Sequence, residues 1–367
     1  MSQQTTYRFM IAGGGTGGHI FPAIAIAQAI RVFEPLSEFL FVGALGKMEM
    51  EKVPAAGFRI EGLPISGYNR QSVLKNISLP FKLIRSFMKV ASLFKSFKPD
   101  AVIGVGGYST YPVLRYAQSK GIPTFIHESN SFAGKSNVLL AKKATRVFTP
   151  APGMETFFPA ERIQVTGNPI RKAILNQPCS RAEAIAAFGL DASKPVVLSI
   201  GGSLGARSIN EAVLHGLPVF EKNNIQVIWQ TGSLFYPQAE SYTKTGRWIA
   251  PFIEQMDKAY AAADVVISRS GAMSVSELCV CGKPVVFVPY PHAAENHQEA
   301  NALRLVNQGA ALLVNDREVS TRLIPVVVDL ATDAAKQLAL SAAIQKLAVR
   351  DADAVIAQSI LEIVKKK

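Results

Sequence analysis

The sequence predicts an α/β protein of two domains, each built on a parallel sheet. Three observations carry this. β-type runs alternate along most of the chain with segments long enough for helices, the pattern of parallel strands joined by helical crossovers. A strand that ends in glycines and feeds a helix opens the chain, and the same unit returns near its middle. The chain has 367 residues, more than the roughly 250–300 that one hydrophobic core usually spans. Two such domains imply a cleft between their sheets.

Taken in order, Tyr7–Ala12 is a short apolar run that stops at glycines, and Phe21–Val32 has apolar residues at helical spacing. Further β-type runs lie at Phe39–Val42, Ala101–Val105, Thr124–His127 and Ile163–Thr166. Asn168-Pro169 and Gln177-Pro178 break the pattern, which sets the boundary near 168–178 and divides the chain into 1–172 and 173–349. The second half restarts with Val196–Ile200, a glycine loop at Gly201–Gly205 and a helix from about Ser208. Strands then follow at Val227–Gln230, Val265–Ser268, Val285–Pro289 and Ala311–Val314, and the tail after about Ala335 reads as helix.

Composition narrows the class. With 49% hydrophobic and 18% charged residues, the chain is neither disordered nor fibrous. No apolar run approaches the roughly 18 residues of a membrane span, and Met1–Phe9 lacks the features of a signal peptide, so a soluble protein that stays inside the cell is expected. Cys179, Cys279 and Cys281 read as reduced thiols, because Cys-Val-Cys spacing points the two side chains to different faces rather than to one metal. The net charge of +12 is uneven: residues 1–170 hold 19 Lys/Arg against 9 Asp/Glu, the remainder 20 against 18. A basic first half calls for an acidic partner, whether nucleic acid, anionic lipid or a phosphorylated substrate.

One segment sharpens that choice. Between Gly62 and Pro99 there is no acidic residue, whereas Arg70, Lys75, Lys82, Arg85, Lys89, Lys95 and Lys98 alternate with Phe81, Ile84, Phe87, Met88, Phe94 and other apolar residues. This composition suits a surface resting on anionic lipid. An amphipathic helix with a buried apolar side and solvated lysines has the same periodicity, and the charge asymmetry favours the membrane.

Gly13-Gly14-Gly15-Thr16-Gly17-Gly18-His19 lies between strand and helix, where backbone N–H groups can receive an anion without side-chain bulk. Gly13, Gly15 and Gly18 also fit the dinucleotide pattern G-x-G-x-x-G, but the second strand ends at Phe41-Val42-Gly43 with no acid at its tip to hold a ribose. A tight turn without ligand fits the same residues. Glycine turns after β-type runs recur at Gly104–Ser109 and Gly201–Arg207, and ligands of open parallel sheets bind outside such strand ends. His19 stands at the positive end of a helix, which disfavours the cation and leaves a neutral ring able to accept a proton; it reads as a candidate base or as a capping residue. His127-Glu128-Ser129-Asn130 ends a strand and suits either sugar hydroxyls or a strand-end cap. Ser268–Glu277 passes from strand to helix and offers Glu277 to a vicinal diol, or merely to the helix dipole. Asn296–Glu299 begins another helix whose amides could read hydroxyls. Asp351-Ala352-Asp353, the one Asp-x-Asp, lies in the helical tail, so no metal is expected and a diphosphate would be met by helix ends and by Arg171 or Arg207.

Together these motifs closely resemble the MurG family, the N-acetylglucosaminyltransferases that convert lipid I to lipid II in peptidoglycan synthesis. The resemblance rests on Gly14–His19 with Pro22, Gly106-Gly107-Tyr108, Thr166–Arg171, Gly201-Gly202-Ser203 with Gly205-Ala206-Arg207 and Asn210, and Ser268–Ala272 through Glu277. It implies a GT-B architecture: two Rossmann-like domains with parallel sheets facing an interdomain cleft, and a C-terminal helix at about 350–367 that returns to the first domain. By the same resemblance, UDP-N-acetylglucosamine (UDP-GlcNAc) meets Thr16, Gly17, Gly18 and Asn130 from the first domain, and Arg171 and Ser203 at the diphosphate. Ile253 would touch the uracil. Ala272, Met273, Ser274, Val275, Ser276 and Glu277 would hold the nucleotide, with Glu277 on the ribose, and Gln298 would read sugar hydroxyls. His19 becomes the catalytic base, while Tyr108 and Asn137 lie toward lipid I, the undecaprenyl-diphosphate-linked acceptor. The resemblance implies no cofactor, no metal and no nucleic acid, and places the protein peripherally on the cytoplasmic face of the bacterial plasma membrane. The chain departs from the family pattern at Ser129, where Gln is usual, at Val138, where Lys is usual, and at Leu204, where Gln is frequent.

Two rival readings share parts of this pattern. A UDP-GlcNAc 2-epimerase has the fold and the nucleotide but no use for a basic apolar face. A non-enzymatic lipid-binding scaffold has that face but needs no nucleotide.

Overall fold

The computed structural model describes residues 6–67, 79–176, 179–202, 204–293 and 296–366. The chain forms two compact units, one of Met1–Ile170 with Asp351–Lys367, the other of Arg171–Arg350.

The first unit runs β1 (Arg8–Ala12), α1 (Gly17–Phe33), β2 (Glu38–Ala44), α2 (Glu49–Ala55), β3 (Arg59–Leu63), α3 (Leu79–Phe97), β4 (Ala101–Gly104), α4 (Thr110–Ser119), β5 (Thr124–His127), α5 (Lys135–Ala141), β6 (Arg146–Thr149) and β7 (Ile163–Val165). Its seven strands lie in the order β3-β2-β1-β4-β5-β6-β7, all parallel. Strands buried on both faces need apolar side chains on both, so Phe9, Met10, Ile11 and Ala12 are all fully buried. On one face Phe9, Ile11, Phe41 and Ile103 pack against α1 and against the last helix of the chain, Ala352–Val364, through Ile356, Ala357, Ile360, Leu361 and Val364. On the other face Met10, Val42, Val102 and Ile126 pack with Val90, Phe94, Val113 and Leu114.

The second unit runs α6 (Lys172–Asn176), α7 (Arg181–Ala187), β8 (Val196–Ile200), α8 (Arg207–Lys222), β9 (Gln226–Gln230), α9 (Tyr236–Ala239), β10 (Arg247–Ala250), α10 (Met256–Ala262), β11 (Val265–Ser268), α11 (Ala272–Cys281), β12 (Val285–Phe287), α12 (His297–Val306), β13 (Leu312–Leu313), α13 (Val319–Thr332) and α14 (Ala334–Gln345); the final helix, which belongs to the first unit, is α15. Its parallel sheet has the order β10-β9-β8-β11-β12-β13. Both sheets therefore reverse direction beside their first strand, between β1 and β4 and between β8 and β11. That switch point is where an open sheet leaves a crevice outside its carboxyl ends. The glycine turns at Gly13–Gly18 and Gly104–Ser109 lie at the first of these crevices, and the turn at Gly201–Arg207 lies at the second.

Three strands escape the sequence reading: β3, β6 and β10. β3 and β10 are edge strands, and their sequences, Arg-Ile-Glu-Gly-Leu and Arg-Trp-Ile-Ala, mix polar with apolar residues because an edge is only partly covered. β6 is a four-residue stretch that opens with a half-exposed arginine.

Candidate functional site

In the first unit the turns after β1 and β4 are locked together. Gly14 N–H donates to the Gly106 carbonyl at 3.2 Å, and the Thr110 hydroxyl donates to Ala12 and Gly106 carbonyls at 3.0 and 2.9 Å. α1 starts at Gly17 with Thr16 as its N-cap, no side-chain cap and no acid in its first turn. His19 sits in that first turn, half-buried, with Nδ1 3.1 Å from the Gly14 carbonyl and 3.4 Å from the Thr16 hydroxyl. A Cβ on Gly106, whose φ is +94°, would lie 2.8 Å from His19 Nε2, so only glycine leaves room for the ring. Tyr108, 52% exposed, extends from the same turn over Gly67.

The turn after β5 packs beside this. Glu128 is buried, and its carboxylate accepts the Asn130 N–H (3.0 Å), the Asn130 amide (3.3 Å), the Gly134 N–H (3.1 Å) and the Asn137 amide (2.8 Å). Asn137 is thus buried and engaged, while Asn130 stays half-exposed. Ser129 donates to the Gly18 carbonyl at 3.2 Å, tying this turn to the start of α1. His127 is fully buried, and its pKa falls to about 4 because burial disfavours the cation and His19 adds like charge, against weaker hydrogen bonds that the ring donates to Gly167 and Asn168. A neutral ring therefore backs His19.

In the second unit, the loop after β8 and the start of α11 face the corresponding crevice. Gly205, at φ +77°, lies so close to the next loop that a Cβ would stand 2.0 Å from the Thr231 carbonyl oxygen. The N-caps of α8 and α11 are Ala206 and Gly271, which give no side-chain cap, and neither helix has an acid in its first turn. Their leading N–H groups are left for a ligand, and the helix dipoles favour an anion. Asn210 is fixed between the Thr231 carbonyl at 2.6 Å and Trp229 Nε1 at 2.9 Å, so it anchors α8. Ser203 lies outside the described residues, as do Arg70 and Lys75 of the basic segment.

The most charged feature here is a fork. Arg171 Nε and Nη2 donate to Glu277 Oε1 and Oε2 at 2.8 and 2.9 Å, and the Tyr260 hydroxyl donates to Oε2 at 3.2 Å. Burial alone would lower the Arg171 guanidinium, but the Glu277 charge and its hydrogen bonds raise it on balance. Burial and the same carboxylate push Tyr260 well above the ordinary phenol value, so it remains a donor. A cation and a carboxylate held side by side suit a ligand that carries both an anionic group and hydroxyls. Of the other α11 residues, Ala272, Met273 and Val275 are buried, whereas Ser274 and Ser276 are half-exposed. Gln298 accepts the Tyr290 N–H at 3.0 Å, and its carbonyl takes the Ser270 hydroxyl at 2.7 Å.

Two further residues hold this site together, and only the first lies outside the motifs. Gln230, buried at the end of β9, donates to the Gly202 carbonyl (2.9 Å) and accepts the Ile253 N–H (3.0 Å), so it joins the glycine loop to the Ile253 segment. Arg269 donates to the carbonyls of Val288 and Pro289, to Asp316 and to the Ser208 hydroxyl, and thereby fixes the first turn of α8 to the end of β11. Among the described residues no group of three or more His, Cys, Asp or Glu could hold a metal ion.

Residues 9–149 match the glycosyltransferase family 28 N-terminal domain, and residues 196–356 match its C-terminal domain. The chain belongs to glycosyltransferase family 28. Within the family it is 46% identical over 365 residues to the UDP-N-acetylglucosamine–N-acetylmuramyl-(pentapeptide) pyrophosphoryl-undecaprenol N-acetylglucosamine transferase of Parabacteroides distasonis, covering 98% of this chain and 99% of that one. The Cytophaga hutchinsonii protein of the same name is 44% identical over 99% of both chains. Among solved structures, MurG of Acinetobacter baumannii superposes with a TM-score of 0.73 at 29% identity, covering 99% of this chain and 100% of that one. A Neisseria meningitidis UDP-GlcNAc 2-epimerase, at 15% identity and a TM-score of 0.69 over 98% of this chain and 100% of its own, shares the fold alone. The family 28 architecture is GT-B, and the chain is a hexosyltransferase.

Proposed function

We propose that the protein transfers N-acetylglucosamine from UDP-GlcNAc to the C4 hydroxyl of the muramyl sugar of lipid I, giving lipid II. The observation that carries this is kinship along the whole chain, at 46% identity, with a transferase named for that reaction. The epimerase reading has only a shared fold in its favour.

In this reading the second unit takes the donor. Glu277 accepts ribose hydroxyls, Arg171 and the open starts of α8 and α11 answer the diphosphate, and the segments at Ile253 and Gln298 receive uracil and sugar. The first unit takes the acceptor, with Tyr108 and Asn137 on that side and Thr16, Gly17, Gly18 and Asn130 near the transferred sugar. His19 Nε2 removes the proton of the C4 hydroxyl as its oxygen attacks C1 from the face opposite UDP. The bond from C1 to the diphosphate oxygen breaks with its electron pair left on UDP, so one displacement turns α into β. The interaction of Arg171 and the helix starts with the diphosphate grows as that charge develops, which is what lowers the barrier.

The acceptor's polyprenyl chain calls for a membrane surface, and α3 offers one. Phe81, Ile84 and Met88 are 69%, 58% and 61% exposed on one face of the helix, flanked by exposed Arg85 and Lys95, while Val90 and Phe94 of the same helix enter the core. Isolated exposed apolar residues are ordinary; three in a row on a cationic helix suit anionic lipid. No helix among the described residues is long and apolar enough to cross a bilayer. The protein would rest peripherally on the cytoplasmic face of the plasma membrane, and through lipid II serve cell-wall growth, cell shape and division.

The test is incubation with UDP-GlcNAc and a lipid I analogue, with release of UDP and formation of a β-1,4-linked disaccharide as the expected result. An α-linked product, or epimerised UDP-sugar without acceptor, would overturn the reading. His19→Ala should lose at least about 10²-fold in kcat with saturating acceptor, and unaltered turnover would remove His19 from its role.

A further inference from the structure

Glu49 is the first residue of α2 and stands outside every motif in the sequence, yet it is 1% exposed. Its Oε1 accepts the Ala44 N–H and its Oε2 accepts the Gly15 N–H, both at 2.9 Å. Both oxygens receive donors, as an ionised carboxylate does, and no Lys or Arg pairs with it among the described residues. The loop is built around this group: a Cβ on Gly14 would lie 2.3 Å from the Glu49 carboxyl carbon, and one on Gly43 2.5 Å from its Cγ.

The N–H that Glu49 takes belongs to the Gly14–Gly15 peptide, and the carbonyl of that same peptide is the one 3.1 Å from His19 Nδ1. Carboxylate, peptide and imidazole thus form one line. A negative charge on the N–H side of an amide pushes electron density toward its oxygen and makes it a stronger acceptor. A stronger acceptor at Nδ1 holds the proton there, which leaves Nε2 with its lone pair free, and the bond at one ring nitrogen decides the state of the other. Thr16, 3.4 Å from Nδ1, can serve as either donor or acceptor and selects no tautomer.

We propose that Glu49 is a positioning residue that orients His19 and fixes its Nδ1–H tautomer through the Gly14–Gly15 peptide. The arrangement does the work of a carboxylate–histidine pair with one amide inserted between the partners. This rests on His19 being the base. It also assigns the Gly15 N–H to a protein carboxylate, so this loop is not a receiver of anions at that position.

The experiment uses the full-length protein labelled with 15N-histidine, together with Glu49→Gln and His19→Ala. Gln is nearly isosteric, but its amide nitrogen must face one of the two N–H donors, so the line is broken without a cavity. The wild-type His19 ring should show a protonated Nδ1 and an unprotonated Nε2 in its neutral form. In Glu49→Gln the tautomers should mix, and kcat should fall about 10–100-fold, with the KM for UDP-GlcNAc and stabilisation by UDP unchanged. An Nε2–H tautomer in the wild-type protein overturns the proposal, even if the variant does not fold. So does a Glu49→Gln protein with wild-type kcat and tautomer while His19→Ala is inactive. A His19→Ala protein with wild-type turnover instead removes the base assignment on which the proposal rests.

Discussion

His127 gives the sharpest quantitative test of the first unit. The unfolded ring has the ordinary value of 6.5, the folded one about 4, chiefly because it is buried. Below pH 6.5 the unfolded chain binds a proton that the folded chain refuses, so this residue's share of stability is full above 6.5 and is lost as the pH falls toward 4. At about 1.4 kcal/mol per pKa unit the loss is roughly 3 kcal/mol. The perturbation is His127→Gln, which removes the titrating ring. The assay is thermal unfolding from pH 7.5 to 4.5, paired with an NMR titration of the five histidines. The wild-type protein should lose stability more steeply than the variant through that range, and one resonance, absent in His127→Gln, should titrate near pH 4. Parallel stability curves, or a His127 resonance titrating near 6.5, would refute the burial argument.

Three further outcomes follow from the same geometry. Gly205→Ala must place a Cβ at positive φ against the fixed Thr231 carbonyl, a strain of about 2–4 kcal/mol; calorimetry should show the second unit melting several degrees lower, with weaker stabilisation by UDP. Arg171→Met leaves the buried Glu277 carboxylate with the Tyr260 hydroxyl alone. Because the Arg171 side chain is 35% exposed, the stability cost is only about 1–2 kcal/mol. Steady-state kinetics should nevertheless show kcat/KM for UDP-GlcNAc down about 10²-fold, and Arg171→Lys should recover little of it, since an ammonium cannot fork across two carboxylate oxygens. Replacing Phe81, Ile84 and Met88 together by Glu should abolish sedimentation with anionic vesicles, while turnover of a water-soluble acceptor stays as it was.

What the sequence reveals and what it hides have physical causes. Central strands such as Val196–Ile200 and Val265–Ser268 are buried on both faces, so all but one residue of each is apolar, and the first runs straight into Gly201-Gly202 because the loop must turn sharply there. That combination can be read without a structure. Edge strands β3 and β10 carry weaker constraints and blend with their surroundings. The fork of Arg171 and Glu277 joins residues 106 positions apart, and each is visible only as a motif member; nothing in the sequence pairs them. Glu49 and Gln230 leave no motif because they bind backbone groups, and any loop supplies those. The apolar content of α3 is plain from composition, but which residues enter the core and which stay outside depends on how the helix is rotated against α4, where Phe87 and Phe94 meet Tyr111 and Tyr116, and the periodicity does not fix that.

The last helix carries a consequence for how the protein is made. Ile356, Ile360 and Leu361 fill the first unit's core, so that unit is unfinished until residues 352–364 leave the ribosome, after all of Arg171–Arg350 has been made. During synthesis the first unit therefore keeps the α1 face that this helix covers bare while the whole second unit is translated. A nascent chain stalled after residue 350 would expose that bare face to chaperones and proteases, and deletion of residues 352–364 would damage the half of the molecule that was translated first.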